Sequence, residues 1–178
     1  MRTDDELMLS YRGGEQHAFE LLFDRYREPI WRFFRRRIPD AQRSEELTQE
    51  TFLALLRAAH RYQPRSSFRS YLFGIAFNLL AAARREDRRV PTTALDDVDV
   101  AAPGCDATAV LWVRQALSAL DDEDREVLML REYDQLSYDE IAALVRVPVG
   151  TVRSRLFRAR LALRDKLVGE REAEGVSR

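Results

Sequence analysis

Apolar residues recur at spacings of three and four through most of the first ninety residues, as they do on the buried side of a helix. A short helix is predicted around Leu7, ending at Gly13 and Gly14, and a second over residues 18–34, with a kink permitted at Pro29. No stretch alternates between apolar and polar residues as a half-buried strand does. The pattern therefore predicts an all-helical bundle.

Two further helices complete this predicted bundle. Ser44 is expected to cap the third helix, and Ser66 or Ser67 the fourth. The apolar stripe predicted for the third helix is Leu47, Thr51, Phe52 and Leu55. The stripe predicted for the fourth is Phe68, Leu72, Ile75, Ala76 and Leu79.

A different helical pattern occupies residues 137–164 and is interrupted by a proline. Ser137 and Glu140 have the spacing of a capping box, which marks a helix start. Pro148 disfavours helical backbone at the preceding residue, so this helix should end there and another begin near Val149. Two helices joined by a tight turn form a helix-turn-helix, whose second helix reads the major groove of DNA.

Each helix of this pair should bury one side. The inward residues predicted for the first are Ile141, Ala142 and Val145, and for the second Val152, Leu156, Ala159 and Leu163. The residues predicted to face outward on the second helix are Arg153, Ser154, Phe157 and Arg158.

Residues 90–106 break the helical pattern. This segment contains Pro91, Pro103 and Gly104, several aspartates and no basic residue, which is typical of a flexible acidic linker. The chain is therefore predicted to be all-α, with two small helical domains, 1–89 and 107–178, the second holding the helix-turn-helix. The single cysteine, Cys105, lies in the linker, where we interpret it as an incidental thiol.

Charge is distributed very unevenly, although the net charge is only −1. Nine acidic side chains between residues 121 and 140 face only Arg125 and Arg131. The proposed second helix and its approach are basic, carrying Arg146, Arg153, Arg155, Arg158, Arg160, Arg164 and Lys166. Asp165 alone is too little acid to pair with so much base, so we expect this helix to present its charge to DNA phosphates.

The first domain also combines aromatic residues with arginines, from Arg61 to Arg89. Such a surface is suited to stacking unpaired bases and neutralising their backbone. We interpret the loop at 61–67 and Asn78 as functional, and Phe68, Leu72, Ile75 and Leu79 as bundle core. The predicted third helix carries an acidic patch that is either a solvated face or a docking site for a basic partner: Glu45, Glu46, Gln49 and Glu50.

Several classes of protein are disfavoured. The polar, acidic N-terminus is not a secretory signal, and no run approaches the roughly 18 apolar residues of a membrane span. His17 and His60 lie far apart, and a single cysteine cannot build a multi-cysteine metal site. No phosphate-binding glycine loop or catalytic cluster is visible. We therefore expect a cytoplasmic protein that is not an enzyme and needs no cofactor, with no metal site and no membrane insertion.

Four segments, in this order, resemble the bacterial extracytoplasmic-function (ECF, group 4) sigma factors of RNA polymerase. They are AFELLFDRY, SEELTQETFLALLRA, SSFRSYLFGIAFNLL and LDDEDREVLMLREYDQLSYDEIAALVRVPVGTVRSRLFRARLALR. The resemblance covers nearly the whole chain except the linker. It implies a protein that binds core RNA polymerase, recognises the −35 and −10 promoter elements and promotes DNA melting. It also implies a cognate anti-sigma factor as a partner, and a linker that threads the polymerase channel near the RNA exit.

The resemblance also implies roles for individual residues. Those matching the polymerase-binding helix are Glu46, Leu47, Gln49, Glu50 and Phe52. Those matching the reader of the unpaired −10 strand are Arg61, Tyr62, Arg65, Ser66, Ser67 and Asn78. Those matching the −35 reader are Arg153, Ser154, Phe157 and Arg158, with Arg155, Arg160 and Arg164 on phosphates. Within that set, Arg153 and Arg158 are expected to contact bases.

Four positions depart from the family pattern. Gln63–Pro64 stands where many relatives have arginine and glycine, Tyr71 replaces a common tryptophan, and Arg146 replaces a common glycine in the turn. The base preferred by the loop at 61–67 therefore cannot be copied from relatives. The alternative to a sigma factor is a helix-turn-helix regulator that binds duplex DNA as a dimer without polymerase, which would leave the features of the first domain unused.

Overall fold

The computed structural model describes residues 2–87 and 107–175, with side chains over 2–86 and 111–166. The four helices of the first range are α1 (Asp4–Arg12), α2 (Gln16–Arg35), α3 (Ala41–Ala58) and α4 (Phe68–Asp87), with a 3₁₀ turn at Ala59–Arg61. The four of the second are α5 (Ala107–Ser118), α6 (Asp122–Glu132), α7 (Tyr138–Val145) and α8 (Val149–Gly175). No strand occurs in these two ranges, and the all-helical prediction is confirmed.

The chain folds into two compact units, one containing α1–α4 and the other α5–α8. The predicted linker at 90–106, with Cys105, lies outside the described residues, and so do Arg88 and Arg89. The exact domain limits therefore stay a prediction. None of the described helices is both long and apolar enough to cross a membrane.

The first unit is built around α2, which packs against α1 and α3, while α4 packs mainly against α3. Leu22, Ile30, Phe33 and Phe34 of α2 are all fully buried. Phe33 meets Phe73 of α4 edge to face, with ring centroids 5.6 Å apart, an arrangement that aromatic quadrupoles favour. α2 continues through Pro29 without interruption.

Ser44 does not cap α3, contrary to the sequence prediction. The helix begins earlier, at Ala41, because the Asp40 carboxylate accepts hydrogen bonds from the backbone N–H groups of Gln42 (2.8 Å) and Arg43 (3.2 Å). Ser44 is buried in the first turn, where its hydroxyl donates to the Asp40 carbonyl at 2.9 Å. The cap predicted at Ser67 is present, since its Oγ accepts from the Ser70 N–H at 3.2 Å.

The buried side of α4 differs in part from the predicted stripe. Phe68, Leu72 and Ala76 are buried as expected, but Ile75 and Leu79 are half-exposed. The other positions that are buried on this helix are Phe73, Leu80 and Ala83. α4 contacts α1 and α2 as well as α3, and these additional neighbours shift its buried arc.

Two tyrosine hydroxyls anchor α1 to the bundle. Tyr26 donates to Asp4, and Tyr62 donates to Asp5 at 2.5 Å. Burial raises the pKa of both tyrosines, and the hydrogen bond to each aspartate raises it further, so both phenols stay protonated donors at neutral pH. Thr3 caps α1 with a reciprocal Thr3–Glu6 capping box that the sequence reading did not include.

In the second unit, α8 packs against α6, α7 and α5. The predicted capping box is present: Ser137 Oγ accepts from the Glu140 N–H at 3.2 Å, and the Glu140 carboxylate accepts from the Ser137 N–H at 2.8 Å. α7 ends at Val145, and Arg146 adopts left-handed backbone with φ 57° and ψ 47°. That conformation costs a non-glycine residue about 1–2 kcal/mol. α8 begins at Val149, as predicted.

Replacing Asp40 with alanine should destabilise the first unit by about 1 kcal/mol, because two backbone N–H groups lose their acceptor. Chemical denaturation of the full chain followed by far-ultraviolet circular dichroism measures this change. Ser44→Ala is the control: its lost hydrogen bond and its gain in helix propensity are of similar size. A larger loss in Ser44→Ala than in Asp40→Ala would contradict the assignment of the cap.

Candidate nucleic-acid and polymerase interfaces

The outer face of α8 is assembled as its helical periodicity predicts. Val152, Leu156 and Ala159 are no more than 1% exposed, because they pack towards the other helices of the unit. On the opposite side Arg153, Ser154, Phe157 and Arg158 are all exposed, and Phe157 is 69% exposed. Leu163, predicted to face inward, is half-buried. A phenylalanine this exposed, flanked by arginines, is typical of a binding surface.

A groove of about 450 Å³ runs beside this face. Its apolar part combines Phe157 with Leu156, Leu161 and the ring of Tyr138. The arginines that border it are Arg153, Arg160 and Arg164. The groove therefore offers both apolar contact and hydrogen-bond donors, the two kinds of group that contact base edges and phosphates in the major groove.

Several arginines of α8 are paired with acidic groups of α6. Arg155 pairs with Glu123, Arg158 with Asp124 at 2.8 Å and Arg160 with Glu132 at 2.6 Å. The expectation that this basic helix has too little acid to pair with is therefore wrong. The acids stand 28–34 residues earlier in the chain, and only the packing of α6 on α8 brings them within reach.

Arg153 differs from these arginines. It is exposed and forms no ion pair within the described parts of the chain, although it borders the groove beside Phe157. Its guanidinium can approach DNA without breaking an internal contact. The structure thus separates Arg155, Arg158 and Arg160, which are paired with α6, from Arg153, whose ion pairs are absent within the described residues, while Arg164 pairs with Asp165 of its own helix.

Of these three ion pairs, the one between Arg158 and Asp124 has the most complete hydrogen bonding. Arg158 donates from Nε to Oδ2 at 3.0 Å and from Nη2 to Oδ1 at 2.8 Å, so both carboxylate oxygens are engaged. The hydrogen bond and the charge of Asp124 raise the pKa of Arg158. Asp124 itself is 6% exposed, whereas the side chain of Arg158 is 58% exposed.

Tyr62 does not belong to the exposed surface of the loop at 61–67, contrary to the sequence prediction. It is 1% exposed, its ring lies 5.1 Å from that of Tyr71, and its hydroxyl donates to Asp5. Arg12 of α1 also donates to the Tyr62 carbonyl at 2.8 Å. Tyr62 therefore anchors the start of the loop and cannot stack on a base in this conformation.

The rest of the loop is exposed, including Arg61, Arg65, Ser66 and Ser67. Arg65 Nε donates to the Gln63 side chain at 3.1 Å, and Ser67 is committed to capping α4. The loop thus presents polar donors, while Phe68, which was predicted to be core, and Phe73 are buried with Tyr62.

Asn78 is exposed on α4, ten residues after Phe68 and therefore about 15 Å further along the helix axis. Next to it on the same helix, Phe77, Leu80, Ala81, Arg84 and Arg85 line a cavity of about 250 Å³. The polar loop directly precedes α4, and Asn78 lies part-way along that helix, a spacing that suits an extended single strand better than a compact ligand.

The predicted polymerase-binding residues of α3 divide between core and surface. Leu47 and Phe52 are 1% and 4% exposed, so direct contact of these two with a partner is excluded in this conformation. They face the bundle because α3 packs against α2 and α4. Gln49 and Glu50 are exposed. Glu46 is half-buried and pairs with Arg43 at 3.1 Å.

Leu53, which the sequence reading did not single out, is 48% exposed on α3. It lies three and four residues after Glu50 and Gln49, and hence on the same side of the helix. That spacing was visible in the sequence, but an apolar residue there was indistinguishable from core. The exposed face of α3 therefore combines amide, carboxylate and aliphatic groups.

A helix-turn-helix whose second helix exposes arginines beside an aromatic ring is typical of DNA-binding transcription proteins, and comparisons with known proteins agree. Residues 22–90 match the family described as Sigma-70 region 2, and residues 111–163 match Sigma-70, region 4. The chain is 33% identical to RNA polymerase sigma-H factor of Pseudomonas aeruginosa, covering 90% of this chain and 91% of that one. It is 32% identical to ECF RNA polymerase sigma-E factor of Escherichia coli K12, covering 93% and 94%.

Two solved structures are also similar. CnrH, solved in complex with the cytosolic domain of CnrY, matches with a TM-score of 0.64 and 27% identity, covering 93% of this chain and 97% of that chain. The sigma factor RpoE of Bartonella quintana, solved with the anti-sigma factor NepR, has a TM-score of 0.65 over 84% and 96%. At 23% identity, this second match shows similarity of fold alone.

The chain belongs to the extracytoplasmic-function family of RNA polymerase sigma factors. It is an alternative sigma factor that binds RNA polymerase and DNA in transcription initiation. The alternative of a polymerase-independent regulator is not favoured, because it leaves the region 2 match of the first unit unexplained.

Leu47→Ala should lower the free energy of unfolding by about 2–5 kcal/mol, since it leaves a cavity in a fully buried site. Equilibrium denaturation of the full chain measures this loss. Gln49→Ala, an exposed neighbour on the same helix, should change stability by less than about 0.5 kcal/mol. Equal stabilities for Leu47→Ala and the unmodified chain would contradict the assignment of Leu47 to the core and favour a role for it in polymerase binding.

Proposed function

We propose that this chain is a group 4 ECF sigma factor that directs core RNA polymerase to promoters through two separate DNA contacts. The outer face of α8 binds the −35 element, and the loop at 61–67 with Asn78 reads the unpaired −10 strand. The observation that carries this proposal is the exposed face of α8, where Arg153, which has no ion pair among the described residues, lies beside an exposed Phe157.

At the −35 element, Arg153 and Arg158 contact base edges, and Phe157 supplies apolar contact, as suits a thymine methyl group. Arg160 and Arg164 serve phosphates and so position the helix in the groove. Arg160 does so while Glu132 partly balances its charge, whereas the side chain of Arg155 is only 14% exposed and joins α8 to α6 through Glu123. Ser154 is exposed between these groups and can donate to either kind of acceptor.

At the −10 element, unpairing costs a few kcal/mol per base, and contacts to the extruded base offset that cost. Arg61, Arg65 and Ser66 place donors on the exposed loop, and Asn78 can form two hydrogen bonds with one base edge. Tyr62 and Ser67 act indirectly, because Tyr62 anchors the loop to α1 and Ser67 caps the helix that carries Asn78.

Core polymerase docks on the exposed side of α3, at Gln49, Glu50 and Leu53. An apolar centre beside a carboxylate suits a partner helix with both apolar and basic residues. Glu46 contributes at the margin of this face through its carboxylate, which Arg43 already shares. Leu47 and Phe52 support the face from beneath.

A cognate anti-sigma factor is the expected regulator. CnrH and the Bartonella RpoE are similar proteins that were solved with CnrY and the anti-sigma factor NepR, respectively. Such a partner would control access to polymerase and promoter. The protein would act in the cytoplasm, where polymerase works, as an initiation factor without catalytic chemistry of its own.

Arg153→Ala should reduce recognition of one −35 base by about 1–3 kcal/mol, as expected for a lost base contact. Arg160→Ala should weaken binding to all sequences alike. It should also lower the slope of log K against log salt concentration by about one, because one phosphate contact is lost. Affinities of the reconstituted holoenzyme for matched and scrambled −35 sequences, measured over a series of salt concentrations, separate the two effects. Equal loss of discrimination in both variants would show that the assignment of these faces is wrong.

Asn78→Ala should impair open-complex formation while leaving polymerase binding intact, since Asn78 is exposed on α4, whereas the proposed docking face belongs to α3. Permanganate reactivity of unpaired thymines reports melting, and co-purification with core enzyme reports binding. Leu53→Asp should have the opposite effect and lose polymerase binding, because it replaces the apolar centre of the docking face with a charge beside Glu50. Loss of core binding in Asn78→Ala would assign that residue a structural role.

A further inference from the structure

Asp124 is buried, although it lies in the acidic first turn of α6 beside two exposed residues. The side chains of Asp122 and Glu123 are 87% and 72% exposed, whereas that of Asp124 is 8% exposed. A buried carboxylate is costly unless it is paired and hydrogen-bonded. Its partner is Arg158 of α8, which occupies both of its oxygens.

The geometry of this pair leaves one side of the Arg158 guanidinium free. Asp124 takes the N–H of Nε and one N–H of Nη2. A guanidinium has five N–H groups, so three remain, two on Nη1 and one on Nη2, at the outer end of the side chain. One N–H of Nη1 and the remaining N–H of Nη2 form a pair of donors that matches the O6 and N7 acceptors of guanine in the major groove.

The pairs that Arg155 and Arg160 form with α6 are arranged differently. In the Arg155–Glu123 pair the arginine side chain is 14% exposed, so it is the acid that faces solvent. In the Arg160–Glu132 pair both side chains are about half-exposed, and both hydrogen bonds end on a single carboxylate oxygen. Of the three pairs, the one with Asp124 holds an exposed arginine on a buried, doubly bonded acid.

We propose that Asp124 is a positioning residue for promoter recognition, holding Arg158 so that its free end reads a guanine in the −35 element. The inference rests on the proposed contact between α8 and that element. Asp124 is too buried to exchange Arg158 for water, so the pair persists when DNA binds. Arg158 then loses little side-chain freedom on binding, which raises its contribution to recognition.

The same pair also limits non-specific attraction. Asp124 offsets the charge of Arg158, so this arginine adds less to the binding of arbitrary phosphates than an unpaired one would. Recognition of guanine depends on the direction of the hydrogen bonds and is retained. Asp124 therefore increases the ratio of specific to non-specific binding.

The test uses holoenzyme reconstituted with core polymerase and a promoter library randomised across the −35 element, with bound sequences counted. Arg158→Ala should lose guanine preference at one position, by roughly 5- to 150-fold for a bidentate contact. Asp124→Asn should lose a several-fold part of that preference at the same position, because an amide has only one acceptor oxygen and cannot hold both guanidinium N–H groups. The double variant should match Arg158→Ala alone.

Glu123→Gln is the matched control, since it removes the same charge from the adjacent residue of the same helix turn. Its guanine preference should equal that of the unmodified protein. Base preference is a ratio among sequences bound by folded holoenzyme, so it does not depend on the fraction of each variant that folds.

Two results would overturn the proposal in distinguishable ways. If Asp124→Asn keeps the preference that Arg158→Ala loses, or weakens all sequences equally, Asp124 has only a structural role and the −35 proposal for Arg158 stands. If Arg158→Ala changes no −35 position, the proposed base contact of Arg158 fails, and the role of Asp124 fails with it.

Discussion

The second unit depends on the packing of α8 against α6. Val152, Leu156 and Ala159 form a continuous buried stripe, and removing this stripe from water determines which sides of α8 remain for other contacts. Once the two helices are packed, their charged flanks meet, and Arg155, Arg158 and Arg160 find acids on α6. The arginines of this highly basic helix therefore differ in how far a neighbouring acid offsets their charge.

As a consequence, the arginines of α8 contribute to promoter recognition in different ways. Arg153 is free of internal partners in the described region, whereas Arg158 is held from behind by a buried carboxylate. An arginine without an internal partner can adjust its conformation to the DNA, whereas one held by a carboxylate presents its N–H donors in a fixed direction. Sequence-specific binding must exceed a strong non-specific attraction to phosphate, and partial neutralisation of the helix reduces that background.

The first unit uses partly buried hydrogen bonds for a comparable purpose. Tyr62 stands at the start of an exposed loop, yet its hydroxyl and its carbonyl are both bound by α1, through Asp5 and Arg12. Holding one end of the loop leaves Arg65 and Ser66 exposed on a backbone that is anchored next to them. A rigid support beneath a polar loop is a common way to keep a reading surface in place.

The sequence alone determined the helical class, the two-domain organisation suggested by its patterns, and the helix-turn-helix with its capping box and its start at Val149. These features follow from local rules of spacing, capping and proline geometry, which act within a few residues. The outer face of α8 was predictable for the same reason.

Only the tertiary structure decided which of these residues are accessible and which are paired. Leu47, Phe52 and Tyr62 belong to motifs with implied binding roles, but packing against other helices buries them. The acids that pair with α8 are distant in the chain, and neither charge counts nor helical spacing relate them to their arginines. Burial and ion pairing depend on which helices meet, and that choice is made by the whole core.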